Sequence, residues 1–167
     1  MKQLVESLRK DFPHLSFRQA STSCWSPAKK EVSYTIKGDQ TIGAWGLLHE
    51  LGHALLEHDT YRSDVELVLK EVDAWDKALE IAPIYNQQID DEHVQDCLDT
   101  YRDWLNQRST CPECGMNGLQ HTPRLYRCIN CVASWEVSPS RFCRPYRQKK
   151  RVKNKTSLAA KPQVMFQ

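Results

Sequence analysis

The sequence predicts an α+β protein in three stretches. A domain of helices with a short sheet covers residues 1–107, a small cysteine-based module covers 108–140, and a basic, disordered tail covers 141–167. Three observations lead there. Apolar residues recur at helical spacing through much of the first hundred positions, with one alternating β-rich segment, EVSYTI at 31–36, among them. Two Cys-x-x-Cys pairs follow, Cys111 with Cys114 and Cys128 with Cys131. Charge divides at the same boundary: residues 1–107 hold 11 Lys/Arg and 19 Asp/Glu, and residues 108–167 hold 12 and 2, so the total of +2 conceals −8 and +10.

Composition excludes several classes. With 40% hydrophobic and 9% aromatic residues the chain can bury a core, which rules out wholesale disorder. No stretch approaches the roughly 18 apolar residues of a membrane-spanning helix. The opening residues, MKQLVESLRKDF, lack the apolar centre of a secretion signal, so a cytoplasmic protein is expected. In a reducing compartment the paired cysteines read as metal ligands rather than disulfides.

The elements follow in order. Residues 2–11 form an amphipathic helix ended by Pro13, and short strands lie between Leu15 and Ser26. EVSYTI is a strand closed by Gly38 and Asp39. A helix runs from about Thr41 to His58. A second runs from about Ser63 to Ala82, with Ser63 or Asp64 as its N-cap and Pro83 as its stop, burying Val65, Val68, Val72, Trp75 and Leu79. A third spans about Asp90 to Asn106, with Val94, Cys97, Leu98, Tyr101 and Leu105 at helical spacing. Short strands and metal knuckles fill 111–137.

Residues 49–53 read His-Glu-Leu-Gly-His. Positions four apart share one face of a helix, so His49 and His53 can grip one zinc ion. Glu50 then stands beside the metal, placed to take a proton from the attacking water. Ala44, Leu47, Leu48, Leu51, Ala54 and Leu55 make this helix apolar over most of its circumference. Two histidines and a glutamate in a buried helix need partners, and a metal provides them. His58 lies about 140° from His53 and about 180° from His49 on a continuous helix, which makes it a solvated residue at the helix end.

The third ligand comes from the second helix. Glu71 borders its apolar stripe and is the leading candidate; Asp76 borders the other edge, and Asp73 lies on the far face with Glu66 and Glu80. An oxyanion stabiliser falls to Tyr61, Tyr34 or another tyrosine. Cys24 is either core beside Trp25 or a thiolate that approaches the metal.

HELGHALLEH followed by KEVDAWDKALEIA resembles the ImmA/IrrE family of gluzincin-type metallopeptidases, over about residues 30–82. The resemblance implies a zincin-like fold, peptide-bond hydrolysis, and an acidic ligand in an ExxA-type segment, occupied here by Glu71-Val72-Asp73-Ala74. It also implies a substrate strand added to a sheet edge just ahead of the active-site helix, a role that EVSYTI would fill. The chain departs from the family at Trp75-Asp76-Lys77-Ala78. SprT-like proteases, which join an HExxH helix to a C-terminal zinc ribbon, are a second resemblance. Their third ligand is a histidine, and neither His93 nor His121 is well placed for it.

In the second motif, Cys111-Pro-Glu-Cys114 is separated from Cys128-Ile-Asn-Cys131 by the 13 residues from Gly115 to Arg127. Each pair can turn two thiolates onto one ion, and four thiolates complete a closed tetrahedral site: a zinc ribbon with a structural zinc. Leu125, Tyr126, Val132 and Trp135 are available to pack around it. Beyond it, Arg141, Arg144, Arg147, Lys149, Lys150 and Arg151 interleave with Phe142 and Tyr146, which suits phosphate contacts and base stacking on DNA or RNA, or else an acidic protein partner. The expected whole is a metallopeptidase with two zinc ions, one catalytic and one structural, acting on a protein or peptide substrate and recruited by the ribbon and tail. The alternatives are a non-proteolytic, zinc-stabilised nucleic-acid-binding regulator and a SprT-like DNA–protein crosslink protease.

Overall fold

The computed structural model describes residues 1–139 and 147–149. Its described residues form an α+β fold of four α-helices and two small sheets. In chain order these are α1 (Lys2–Asp11), β1 (Ser16–Gln19), β2 (Cys24–Ser26), β3 (Glu31–Tyr34), α2 (Gln40–Leu55), α3 (Asp64–Ile81), α4 (Asp91–Ser109), β4 (Gly118–Thr122), β5 (Leu125–Cys128), β6 (Ser134–Val137) and β7 (Arg147–Lys149). None of these helices is long and apolar enough to cross a membrane.

Local chemistry sets the helix starts. Asp39 caps α2, its carboxylate accepting from the amides of Thr41 at 2.7 Å and Ile42 at 3.1 Å. Those amides hold its carboxyl below the usual range, Ile42 contributing most. Ser63 caps α3 by accepting from Glu66 N, so Asp64 stands inside the helix. Helix α2 stops at Leu55, sooner than its apolar pattern suggests. Glu57 then takes a left-handed conformation, with φ of 52°, and the chain doubles back.

The first sheet has the order β1-β3-β2, with β1 parallel to β3 and β2 antiparallel to it. EVSYTI is therefore the central strand, paired on both sides, and is not the edge expected for it; Val32 at its middle is fully buried. The edge strand on the α2 side is β2. Leu4, Val5 and Leu8 of α1 share one core with Phe17, Val32 and the apolar face of α2.

Helix α3 presents a different face from the one its valines suggest. Val65 and Leu69 are exposed, Val68, Val72 and Leu79 are half-buried, and the buried residues include Glu71, Ala74, Trp75 and Ala78. The cause is a close helix–helix approach. A Cβ built on Gly52 of α2 would collide with the Ala74 carbonyl oxygen, so only glycine fits there. Small residues at 74 and 78 form the contact line, and this turns Glu71, one turn earlier, toward α2.

The second sheet is antiparallel, β4-β5-β6-β7, around Tyr126, Trp135 and Val137, with Cys111 and Cys128 in the same cluster. The Tyr126 and Trp135 rings stack 5.8 Å apart. Strand β7 corrects the expectation of a disordered tail at residues 147–149: its backbone pairs with β6.

Candidate functional site

His49 and His53 stand one turn apart on α2 and face Glu71 on α3. Their Nε2 atoms are 3.2 Å apart, and Glu71 Oε2 lies 3.2 Å from His49 Nε2 and 3.6 Å from His53 Nε2. Three ligand atoms at about 2.0–2.2 Å from one tetrahedral ion lie roughly 3.3–3.6 Å from each other. The observed triangle has that size, so the three residues could hold a metal ion. Glu71 Oε2 is buried with only the two imidazole nitrogens as polar neighbours and no well-aligned hydrogen bond among the described residues, a setting that a cation at the centre of the triangle would suit. Burial pushes the Glu71 carboxyl up, but the two imidazoles more than reverse this and hold it at about 2. Asp73 and Asp76, the other ligands considered, are exposed and lie outside the cluster.

Glu50 lies beside the triangle. Its Oε2 accepts the backbone N–H of Trp25, on the edge strand β2, at 2.7 Å. Burial pushes its carboxyl up; the neighbouring histidines and the Trp25 amide counteract this only in part. A carboxylate with raised affinity for a proton, next to a triangle that could hold a metal ion, can serve as a general base.

The triangle opens into a cleft of about 630 Å³, walled by Cys24, Trp25, His58, Tyr61, Lys70 and Tyr101 among others. Tyr61 is therefore available to a bound ligand, whereas Tyr34 is buried away from this cleft. Cys24 is exposed at the cleft rather than buried with Trp25; partial desolvation of its thiol by the cleft wall, then the Glu50 charge, raise its pKa.

His58 overturns its expected role. The helix break after Leu55 brings it back beside the triangle, half-buried, with Nδ1 2.9 Å from His53 Nδ1. Burial, then the His53 and Lys70 charges, pull its pKa down. Neither His93 nor His121 belongs to the cluster. His93 packs on Trp45 and Trp75.

The second group is Cys111, Cys114, Cys128 and Cys131, whose sulfurs all lie within 4.8 Å of one another. Two of the separations are 3.6 Å and 3.5 Å, near the roughly 3.8 Å edge of a tetrahedral zinc–thiolate site. Gly115, at φ of 76°, makes the turn after the second sulfur. Amides of Glu113, Asn130 and Cys131 point at the sulfurs. The cluster could hold a metal ion and is compatible with a zinc ribbon.

Of the six basic residues singled out beyond it, Arg141, Arg144, Lys150 and Arg151 lie outside the described residues. Lys149 is on β7, as is Arg147, whose guanidinium donates to Thr110 O at 2.7 Å.

Two features escape the sequence patterns: the return of His58, for which Glu57 carries no glycine-like signal, and the pairing of Asp64 with Arg108, 44 positions apart. Comparison of the chain with protein-family models, curated proteins and solved structures finds no match.

Proposed function

We propose that this chain is a zinc-dependent metallopeptidase with a zincin-like catalytic domain of the ImmA/IrrE type and a C-terminal zinc ribbon. The observation that carries the reading is the tetrahedral-sized triangle of His49, His53 and Glu71, set beside Glu50 in a cleft that opens along the edge strand β2. A bound zinc supplies the Lewis acidity that polarises a scissile carbonyl and acidifies the attacking water. The chain's own residues do the rest. Glu50 takes the proton from the attacking water and hands it to the leaving amine, a task suited to its raised pKa. The cleft alongside β2, lined by Ser23, Cys24 and Trp25, receives the peptide substrate. Tyr61, at the cleft wall, supplies the hydroxyl that stabilises the developing oxyanion.

The carboxylate in the triangle favours this type over a SprT-like protease, whose third ligand is a histidine. The four cysteines hold a second, structural zinc, as suits a protein of the cytoplasm. The ribbon and the basic segment after it recruit nucleic acid or a nucleic-acid-bound substrate.

The test is proteolysis by the wild-type chain and by Glu50→Gln, read as new N-termini in a cell extract. Glu50→Gln should retain two zincs per chain and produce no new termini. Equal cleavage by the two proteins, or none by either, overturns the hydrolytic reading.

A further inference from the structure

His53 and His58 meet through their Nδ1 atoms, 2.9 Å apart. Such a pair needs one proton between the two nitrogens, and a neutral imidazole carries its single N–H on one nitrogen only. The other nitrogen of His53, Nε2, points into the triangle with His49 and Glu71. A ligand must offer a lone pair there, so the His53 proton belongs on Nδ1. His53 then donates and His58 accepts, which leaves the proton of His58 on Nε2.

His58 is built to hold that pose. Its backbone N–H donates to His53 O at 2.9 Å, and its carbonyl accepts the Trp25 indole N–H at 2.8 Å. The two imidazoles meet edge to face, with centroids 5.0 Å apart, and the left-handed Glu57 supplies the reversal that brings them together. The other helical ligand is held differently. His49 Nδ1 is buried without a partner among the described residues, and its ring stacks on Trp75 at 4.3 Å.

We infer that His58 is the positioning residue of the metal centre, accepting the Nδ1–H of His53 and so locking His53 in the tautomer and orientation that present Nε2 to the metal. This rests on His49, His53 and Glu71 being a metal site. Outer partners of this kind govern metal affinity, because they fix the ring and raise its basicity. Here the partner is an imidazole on the chain reversal rather than a carboxylate. Its carbonyl is tied to the same tryptophan whose amide holds Glu50, so β2 braces both the base and the ligand.

The experiment measures zinc affinity at the histidine site of the full chain, with the cysteine site loaded, by competition with a chromophoric chelator. His58→Phe keeps a ring but has no acceptor, and should bind about 10- to 100-fold more weakly. His58→Asn restores an acceptor and should recover most of that loss. Nitrogen-15 imidazole spectra of the zinc-loaded wild-type chain should show the proton of His53 on Nδ1 and that of His58 on Nε2, a readout that needs no variant. Wild-type affinity in His58→Phe, or a proton on His58 Nδ1, overturns the inference while leaving the metal site standing. A wild-type chain that binds zinc only at its cysteines overturns both.

Discussion

Asp64 and Arg108 form a buried ion pair that joins the cysteine module to the helices. Arg108 Nε lies 2.6 Å from Asp64 Oδ2, and each residue is only 3% exposed. Tyr126 OH, on β5, donates to the same carboxylate oxygen at 2.6 Å, and the Asp64 amide donates to Gln120 of β4. Arg108 also donates to Ser138 O, and its own carbonyl accepts the Trp135 indole N–H. Each charge thus has hydrogen-bond partners as well as its counter-ion, the condition under which a buried pair is tolerated.

Removing one member should cost far more than replacing both. Arg108→Met leaves the Asp64 charge buried with Tyr126 alone and should destabilise the chain by about 3–5 kcal/mol. Asp64→Leu combined with Arg108→Met should recover a large part of that. Urea denaturation of the three proteins checks the ordering.

Gly52 permits the contact that carries Glu71 to the histidines. Gly52→Ala places a methyl against the Ala74 carbonyl, and the helices must part. A loss of about 1–3 kcal/mol is expected, the usual cost of overpacking. The histidine site should lose its metal while the cysteine site keeps its own. Metal analysis after dialysis distinguishes this from general unfolding, which would release both.

The Glu71 carboxyl gives the metal-free chain a defined acid limb. Its pKa is about 2 in the fold against an ordinary value of 4.5. A depressed carboxyl contributes stability that is fully present above 4.5 and is lost as pH falls toward 2. Stability of the chelator-treated protein should therefore decline through that window, and Glu71→Gln should flatten the decline. Equal slopes in the two proteins would show that the imidazoles do not hold Glu71 down.

The cysteine module has a small core of its own, and its fold should depend on its metal. Cys111→Ser is expected to lower the metal content by one and to unstack Tyr126 from Trp135, seen in the near-ultraviolet circular dichroism. With Arg108 anchored to Ser138 and Trp135, the helical domain should also melt at a lower temperature.

The two groups that could hold metal were legible because most of their members sit at fixed short spacings. His49 and His53 are one helical turn apart, and each Cys-x-x-Cys pair is one tight turn. Glu71 could be ranked above Asp73 because it borders an apolar stripe, a ground that Asp76 on the other edge shares, yet the stripe itself was misplaced. Hydrophobicity chose the valines, whereas backbone contact at Gly52 chose the alanines. Periodicity found EVSYTI as a strand but carried nothing about which neighbours it pairs with. His58 was lost for a similar reason: the apolar run through Leu56 continues the α2 pattern, and the left-handed turn at Glu57 uses a residue that does not advertise one. Asp64 and Arg108 are far apart in sequence, and their pairing belongs to the tertiary structure alone.

A three-residue edge strand such as β2 is also an open invitation to another copy of the chain. Unpaired amides along a sheet margin template self-association, and proteins blunt them with short strands and charged side chains. Here the Trp25 amide is already occupied by the Glu50 carboxylate. A second molecule that docked sheet to sheet at this margin would have to displace an ionisable group from a hydrogen bond in a partly buried site. The contact between Trp25 and Glu50 therefore removes from this margin an amide that such docking would use.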